Sequence, residues 1–258
     1  MIKTWRWFGP QDKITLDMLR QIGVEGIVTA LHDLPPGEVW GREAIDKLKQ
    51  VIEDAGLVWS VAESLPVAEE IKYATPVRDQ LIETYKVSLA NLGKAGVKTI
   101  CYNFMPAIDW IRTNLNHPLP DGTTTLYFDK IRFACFDCKI LRRAGAEKDY
   151  TEEEIEKMNL LYKEMTTEDK EILIDTIIVK TQGFIHRNIS GGNNNPVVEF
   201  RKQLQKYAGI DRKKLRENLQ YFLQQVIPVA EEQNIMLCIH PDDPPFPVFG
   251  LPRIVTNE

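Results

Sequence analysis

No run of this sequence approaches the ~20 consecutive apolar residues that span a bilayer, and the opening residues, MIKTWRWFGP, lack the apolar core of a secretory signal. A membrane protein is not expected, and the cytoplasm is the expected location. Cysteine is scarce: there are four, Cys101, Cys135, Cys138 and Cys238, in 258 residues. That is too few for a disulfide scaffold. Cys135 and Cys138 have CxxC spacing, but no second CxxC and no nearby histidine pair accompany them, so mostly buried free thiols are expected rather than a zinc or redox site. A basic excess is missing too. Lys and Arg number 32 against 37 Asp and Glu, giving a net charge of −5, which argues against a nucleic-acid partner. No GxGxxG or P-loop follows any expected strand, so the signal of a nucleotide-binding sheet is absent.

What is present is a strand-then-helix rhythm with Gly and Pro as punctuation. Thr4–Phe8 reads as a strand stopped by Gly9-Pro10, and Leu16–Ile22 as a helix. Gly26–Ala30 is a second strand, and Arg42–Ala55 a helix with Ile45, Leu48, Val51 and Ile52 on one face. Leu57–Ala62 is a third strand, Val77–Ala95 a long helix closed by Gly96, and Val97–Tyr102 a fourth strand. Late in the chain, Arg212–Gln233 reads as a helix with a stripe of Leu215, Leu219, Phe222, Val226 and Val229, followed by a fifth strand, Ile235–Ile239. Alternation of this kind implies a parallel sheet. Ionisable or polar residues recur where successive strands end: Arg6, His32-Asp33, Glu63, Asn103, and His240 with Asp242 and Asp243. A (β/α)8 barrel builds its active site along that edge, which favours a barrel; an open sheet also binds ligands there.

Between Asn103 and about Ile210 the rhythm stops. Asn103–Gly122 reads as loop, and Ile131–Arg143 alternates and then turns basic. Thr151 with Glu154 has the spacing of a capping box opening a charged helix that ends before Thr166, and Thr167–Val179 is a further helix. Gly191–Pro196 reads as a flexible loop. We therefore expect one domain, 1–258, with residues 103–210 as an insertion.

His240 follows an apolar strand and precedes two aspartates among Pro241, Pro244, Pro245 and Pro247. It fits a metal ligand, a general base or a satisfied structural histidine. Neighbouring carboxylates that fix its tautomer, and prolines that stiffen its loop, favour a preorganised site. Trp5-Arg6-Trp7 joins a cation to aromatic walls and suits a polyhydroxylated acid, since arginine grips a carboxylate with a two-pronged fork; the plainer alternative is an aromatic strand with one arginine pointing outward. His32, Asp33 and Glu63 either face a cavity or lie solvated. Asn103 and Arg112, among the aromatic residues after the fourth strand, read as a substrate-binding loop. His117 and His186 receive no role.

Several segments together resemble the mannonate dehydratases of the UxuA type: Arg6–Pro10, Cys101–Pro106, Asp109–Thr113, Tyr150–Glu154, Leu215–Asn218, His240–Pro245 and Gly250–Ile254. The resemblance runs along almost the whole chain. It implies a xylose-isomerase-like (β/α)8 TIM barrel with a helical insertion after the fourth strand. It also implies dehydration of D-mannonate to 2-keto-3-deoxy-D-gluconate in hexuronate breakdown, with Mn²⁺ or Fe²⁺ as cofactor. His240, in the HPDDPP motif, matches the family's first metal ligand. The family's cysteine ligand lies in a CTGS motif that this sequence lacks, and its second histidine and its aspartate come from later strands. The expected substrate contacts are Arg6, Trp7, His32, Glu63, Asn103, Arg112 and Asp242, and no general base is identified. Five strand starts against the eight of a closed barrel lead us to expect a barrel truncated after its fifth strand, binding metal poorly and turning over little substrate. A metal-dependent sugar isomerase or epimerase on the same barrel, or an inactive fragment that serves as a binding partner, are the alternatives. D-mannonate is the expected partner, with neither nucleic acid nor membrane, and homo-oligomerisation stays open.

Overall fold

Parallel strands dominate the computed structural model, which describes residues 1–181 and 195–256. These residues divide into two compact units, Met1–Phe104 with Lys213–Pro241, and Met105–Arg212 with Asp242–Glu258.

The first unit holds β1 (Thr4–Arg6), α1 (Leu16–Gln21), β2 (Gly26–Thr29), α2 (Arg42–Asp54), β3 (Val58–Glu63), α3 (Glu69–Lys72), α4 (Arg78–Lys94) and β4 (Thr99–Tyr102). The expected strand-helix order is thus present, with boundaries moved by one or two residues. Five strands form one sheet in the order β1-β2-β3-β4-β7, all neighbours parallel, where β7 is the last strand, Met236–Ile239. Chain order and sheet order agree because each crossover places the next strand beside the last.

The long helix Arg212–Glu232 precedes β7. Its buried stripe is Leu215, Asn218, Phe222, Val226 and Ala230, which departs from expectation at two places. Asn218 takes a buried position where Leu219 was expected, because its amide donates to the Lys72 carbonyl (2.8 Å) and is thereby satisfied. Ala230 replaces Val229 as the helical period drifts along its 21 residues. Phe222 anchors the core, with Tyr85 edge-on at 5.0 Å and Tyr102 and Phe104 at 5.9 Å. Gly93 on α4 lets this helix's C-terminal turn approach closely; a Cβ there would lie 2.6 Å from the Cβ of Gln233.

The second unit corrects two expectations. Asn114–Pro118, inside the stretch read as loop, is a strand, β5, and it pairs as an antiparallel hairpin with a strand just past that stretch, β6 (Thr124–Tyr127). Its turn is Pro120-Asp121-Gly122, with Gly122 at φ +84° and Asp121 accepting from the Thr123 amide. The threonines that follow favour extended backbone, a signal that the Pro and Asn content obscured. Lys130–Ala134 is a helix, α5, continued by a π-helical turn Cys135–Ile140, where alternation was read. Asp129 starts it by accepting from the Ile131 and Arg132 amides.

The capping box at Thr151 and Glu154 is formed and opens α6 (Glu152–Glu164). A second box, Thr166 with Asp169, opens α7 (Thr167–Ile174), which also passes into a π-helical turn, Asp175–Lys180. Asn195 caps α8 (Pro196–Lys206), with proline at its first position; the helix Arg212–Glu232 is then α9. Residues 191–194 of the expected flexible loop, and His186, lie outside the described residues. Phe249 binds the unit's core, with Phe133, Phe200 and Phe136 at 4.7, 5.2 and 5.8 Å. Among the described residues no helix is long and apolar enough to cross a membrane.

Candidate functional site

Because all five strands point the same way, their ends define one edge of the sheet. β1 ends at Arg6 and β3 at Glu63; Asn103 follows β4 directly and His240 follows β7; His32 lies three residues past β2. Register then sorts faces. Glu63, Cys101 and Cys238 are lateral partners on β3, β4 and β7, so their side chains share a face. Arg6 pairs with Val28, and Val28 with Val61, two residues before Glu63, which brings Arg6 to that same face.

The side chains meet as that register requires. Arg6 Nη1 lies 2.8 Å from Glu63 Oε1, with 36% and 29% of the two side chains exposed. Arg6 Nε is buried and has no hydrogen-bond partner among the described residues. The Arg6 guanidinium sits 5.2 Å from the centre of the Phe8 ring, and the His32 ring lies 6.1 Å from that of Phe8. Burial, helped by the Arg6 charge, holds the His32 imidazole below its usual pKa, so it is neutral near pH 7. Burial, with Glu63 and Cys238 nearby, pushes Cys101 up to about 12, so it stays a thiol. All four cysteines are free, but only Cys135 is fully buried; Cys101, Cys138 and Cys238 are partly exposed, against expectation. For Cys101 and Cys238 the reason is their place on the Glu63 face.

Trp7 is 3% exposed and its amide bonds to the Val28 carbonyl (3.0 Å). It is part of the core and not an open wall. The ring beside Arg6 is Phe8, which the sequence reading passed over as one more strand residue.

His240 is half-buried, and its Nδ1 lies 2.7 Å from the Pro241 carbonyl. A carbonyl only accepts, so this bond requires hydrogen on Nδ1 and leaves Nε2 with the free lone pair that a metal ligand needs. Among the described residues, however, no three His, Cys, Asp or Glu side chains are grouped to hold a metal ion. His240 has the tautomer of a ligand without a coordination set around it there.

Two residues expected at the substrate belong to the second unit, and both have internal partners. Arg112 is tied bidentately to Asp243, Nη1 to Oδ1 at 2.9 Å and Nη2 to Oδ2 at 2.7 Å, and Nη1 also donates to the Ile111 carbonyl. Asp242 is 4% exposed, and its Oδ2 accepts from the amides of Ile254 and Val255. Arg253, which sequence reasoning did not single out, is buried and donates to the carbonyls of Ile108 and Asp109. The HPDDPP aspartates therefore fasten the 242–255 segment; a doubled carboxylate in a sequence does not say which of the two makes which bond.

A parallel strand-helix sheet with arginine, carboxylate, amide and imidazole along its carboxyl edge is an α/β architecture, and that edge is where such folds place their ligand sites. The family model described as D-mannonate dehydratase (UxuA) matches residues 1–258, and the chain belongs to that family. It is 47% identical over 256 residues to the mannonate dehydratase of Marinomonas sp. (strain MWYL1), covering 99% of this chain and 64% of that protein. It is likewise 47% identical over 257 residues to the mannonate dehydratase of Chromohalobacter salexigens, covering 100% and 64%. The crystal structure of mannonate dehydratase from Streptococcus suis serotype 2 superposes with a TM-score of 0.71 at 36% identity, covering 99% of this chain and 58% of that one. The chain thus spans less than two-thirds of the length of these relatives.

Proposed function

We propose that this protein is a hydro-lyase that removes water from D-mannonate to give 2-keto-3-deoxy-D-gluconate, as part of a barrel of the xylose-isomerase-like (β/α)8 type. The observation that carries the reading is the family match along all 258 residues, reinforced by 47% identity to two mannonate dehydratases. The chemistry of the sheet edge agrees with it. A sugar acid presents one carboxylate and several hydroxyls, and Arg6, Glu63, Asn103 and His32 offer a cation, an acceptor, an amide and a neutral imidazole. Arg6 binds the carboxylate, and the neighbouring groups orient the hydroxyls, so that the C2 proton and the C3 hydroxyl are held for elimination.

The cofactor in this reading is Mn²⁺ or Fe²⁺, with His240 Nε2 as one ligand. When bound, such an ion supplies charge stabilisation to an enediolate. The described residues do not complete its coordination. Incubating the protein with D-mannonate and, in parallel, with aldoses and ketoses tests the reading: a 2-keto-3-deoxy acid from D-mannonate supports it, and interconversion of the aldoses and ketoses instead would replace it with a sugar isomerase.

A further inference from the structure

Glu63 occupies Arg6 incompletely. The Nη1–Oε1 contact of the pair is 2.8 Å, both side chains are about one-third exposed, and Arg6 Nε is buried without a hydrogen-bond partner among the described residues. A guanidinium is best satisfied by a two-pronged carboxylate contact, the kind Arg112 makes with Asp243. An ion pair as exposed as Arg6–Glu63 is worth little and exchanges readily. Neither His32, held neutral, nor Cys101, which stays a thiol, carries a charge that competes with Glu63 for Arg6.

Building on the sugar-acid reading above, we propose that Glu63 is an internal stand-in for the ligand: the carboxylate of an incoming sugar acid displaces Glu63 from Arg6. The incoming group takes the terminal nitrogen, Nη1, that Glu63 held. The released Glu63 carboxylate, on the sheet face it shares with Cys101 and Cys238, becomes an acceptor for hydroxyls of the same ligand. The exchange discriminates by charge. A neutral sugar cannot pull Arg6 from Glu63, so it gains neither the guanidinium nor the freed carboxylate.

Calorimetric titration of the purified protein with D-gluconate, a sugar acid, and D-glucitol, its neutral counterpart in shape, tests the exchange. Glu63→Gln removes the competitor while keeping side-chain shape, and D-gluconate then binds about two- to five-fold tighter, the worth of an exposed ion pair. Arg6→Gln weakens D-gluconate at least ~10-fold, as loss of charge-assisted hydrogen bonds does, and Arg6→Lys recovers part of it. D-glucitol stays within about two-fold in all of them, because no charged bond to it is lost. Unchanged or weaker D-gluconate binding in Glu63→Gln, or parallel shifts of both ligands, overturns the proposal. These are binding measurements, so they stand apart from the functional reading, which fails instead if the wild type yields no 2-keto-3-deoxy acid from D-mannonate.

Discussion

Arg6 in the sheet unit and Arg112 in the second unit both face a carboxylate, yet their states are opposite. Arg6 meets Glu63 through Nη1 and leaves Nε unmatched, whereas Arg112 closes a bidentate pair with Asp243 and donates to a backbone carbonyl as well. Arg143, also in the second unit, is tied more tightly still: its Nε and Nη2 meet Asp137, which is 1% exposed, and Nη2 reaches Asp149. An arginine with its donors matched inside the protein holds structure; one held by an exchangeable contact is available to a ligand. The difference follows from position. Arg6 ends a strand, where the sheet edge supplies few acceptors, while Arg112 and Arg143 lie in looped backbone that folds carboxylates around them.

The contrast is most exposed to failure at Asp137. Asp137→Ala removes a fully buried carboxylate and leaves Arg143 and the Tyr150 hydroxyl short of a partner. Breaking a buried pair on one side costs about 3 kcal/mol or more. Urea denaturation should show that loss, and a change below about 1 kcal/mol would mean the second unit's arginines are no more structural than Arg6. Next in size, Arg6→Gln should cost about 1.5–3 kcal/mol in kcat/KM on D-mannonate, the range for hydrogen bonds to a charged group. Its stability should move by less than about 1 kcal/mol, since a partly exposed pair contributes little. Equal losses in both quantities would put Arg6 among the structural arginines.

Much of the sheet unit was legible in the sequence, because periodic apolar residues and Gly/Pro stops are local signals. The parallel order then followed from the crossover rule, and with it the alignment of Arg6, Glu63, Asn103 and His240 along one edge. Less was legible where a side chain's role depends on partners distant in sequence. Nothing near Trp7 says that it is buried while Phe8 is not. Nothing in the HPDDPP run says that Asp243 closes on Arg112, 131 residues away, while Asp242 receives the amides of Ile254 and Val255. The hairpin β5–β6 was hidden for another reason: its residues are largely exposed, so no buried face imprints an alternation on the sequence.

Arg112→Met sharpens the same comparison on a smaller scale. The Arg112–Asp243 pair is partly exposed, at 20% and 34%, so its loss should cost about 1–2 kcal/mol of stability rather than the larger value for a buried pair. The affinity for D-gluconate should be unchanged, because the guanidinium is already matched. A variant that keeps its stability and loses affinity would make Arg112 an open ligand arginine and erase the contrast.

The smallest effect concerns His32, where burial sets the direction and the charge on Arg6 adds to it. The folded protein holds this imidazole below its usual pKa, through burial first and Arg6 second, whereas the unfolded chain titrates near 6.5. Above that pH neither state binds the proton and His32 contributes no pH dependence. As the pH falls through about 6.5 the unfolded state takes up a proton that the folded state refuses, so stability declines, and it continues to decline until the lower folded-state pKa is passed. Other groups titrate in the same range, so the measurement is the difference in urea midpoint between wild type and His32→Asn, followed from pH 7.5 to pH 5. That difference should shrink in an Arg6→Gln background, where the second cause is gone, and persist in an Arg112→Met background. Shrinkage in both, or in neither, would mean that Arg6 is not the charge His32 feels, and that the sheet edge is less tightly coupled than its geometry indicates.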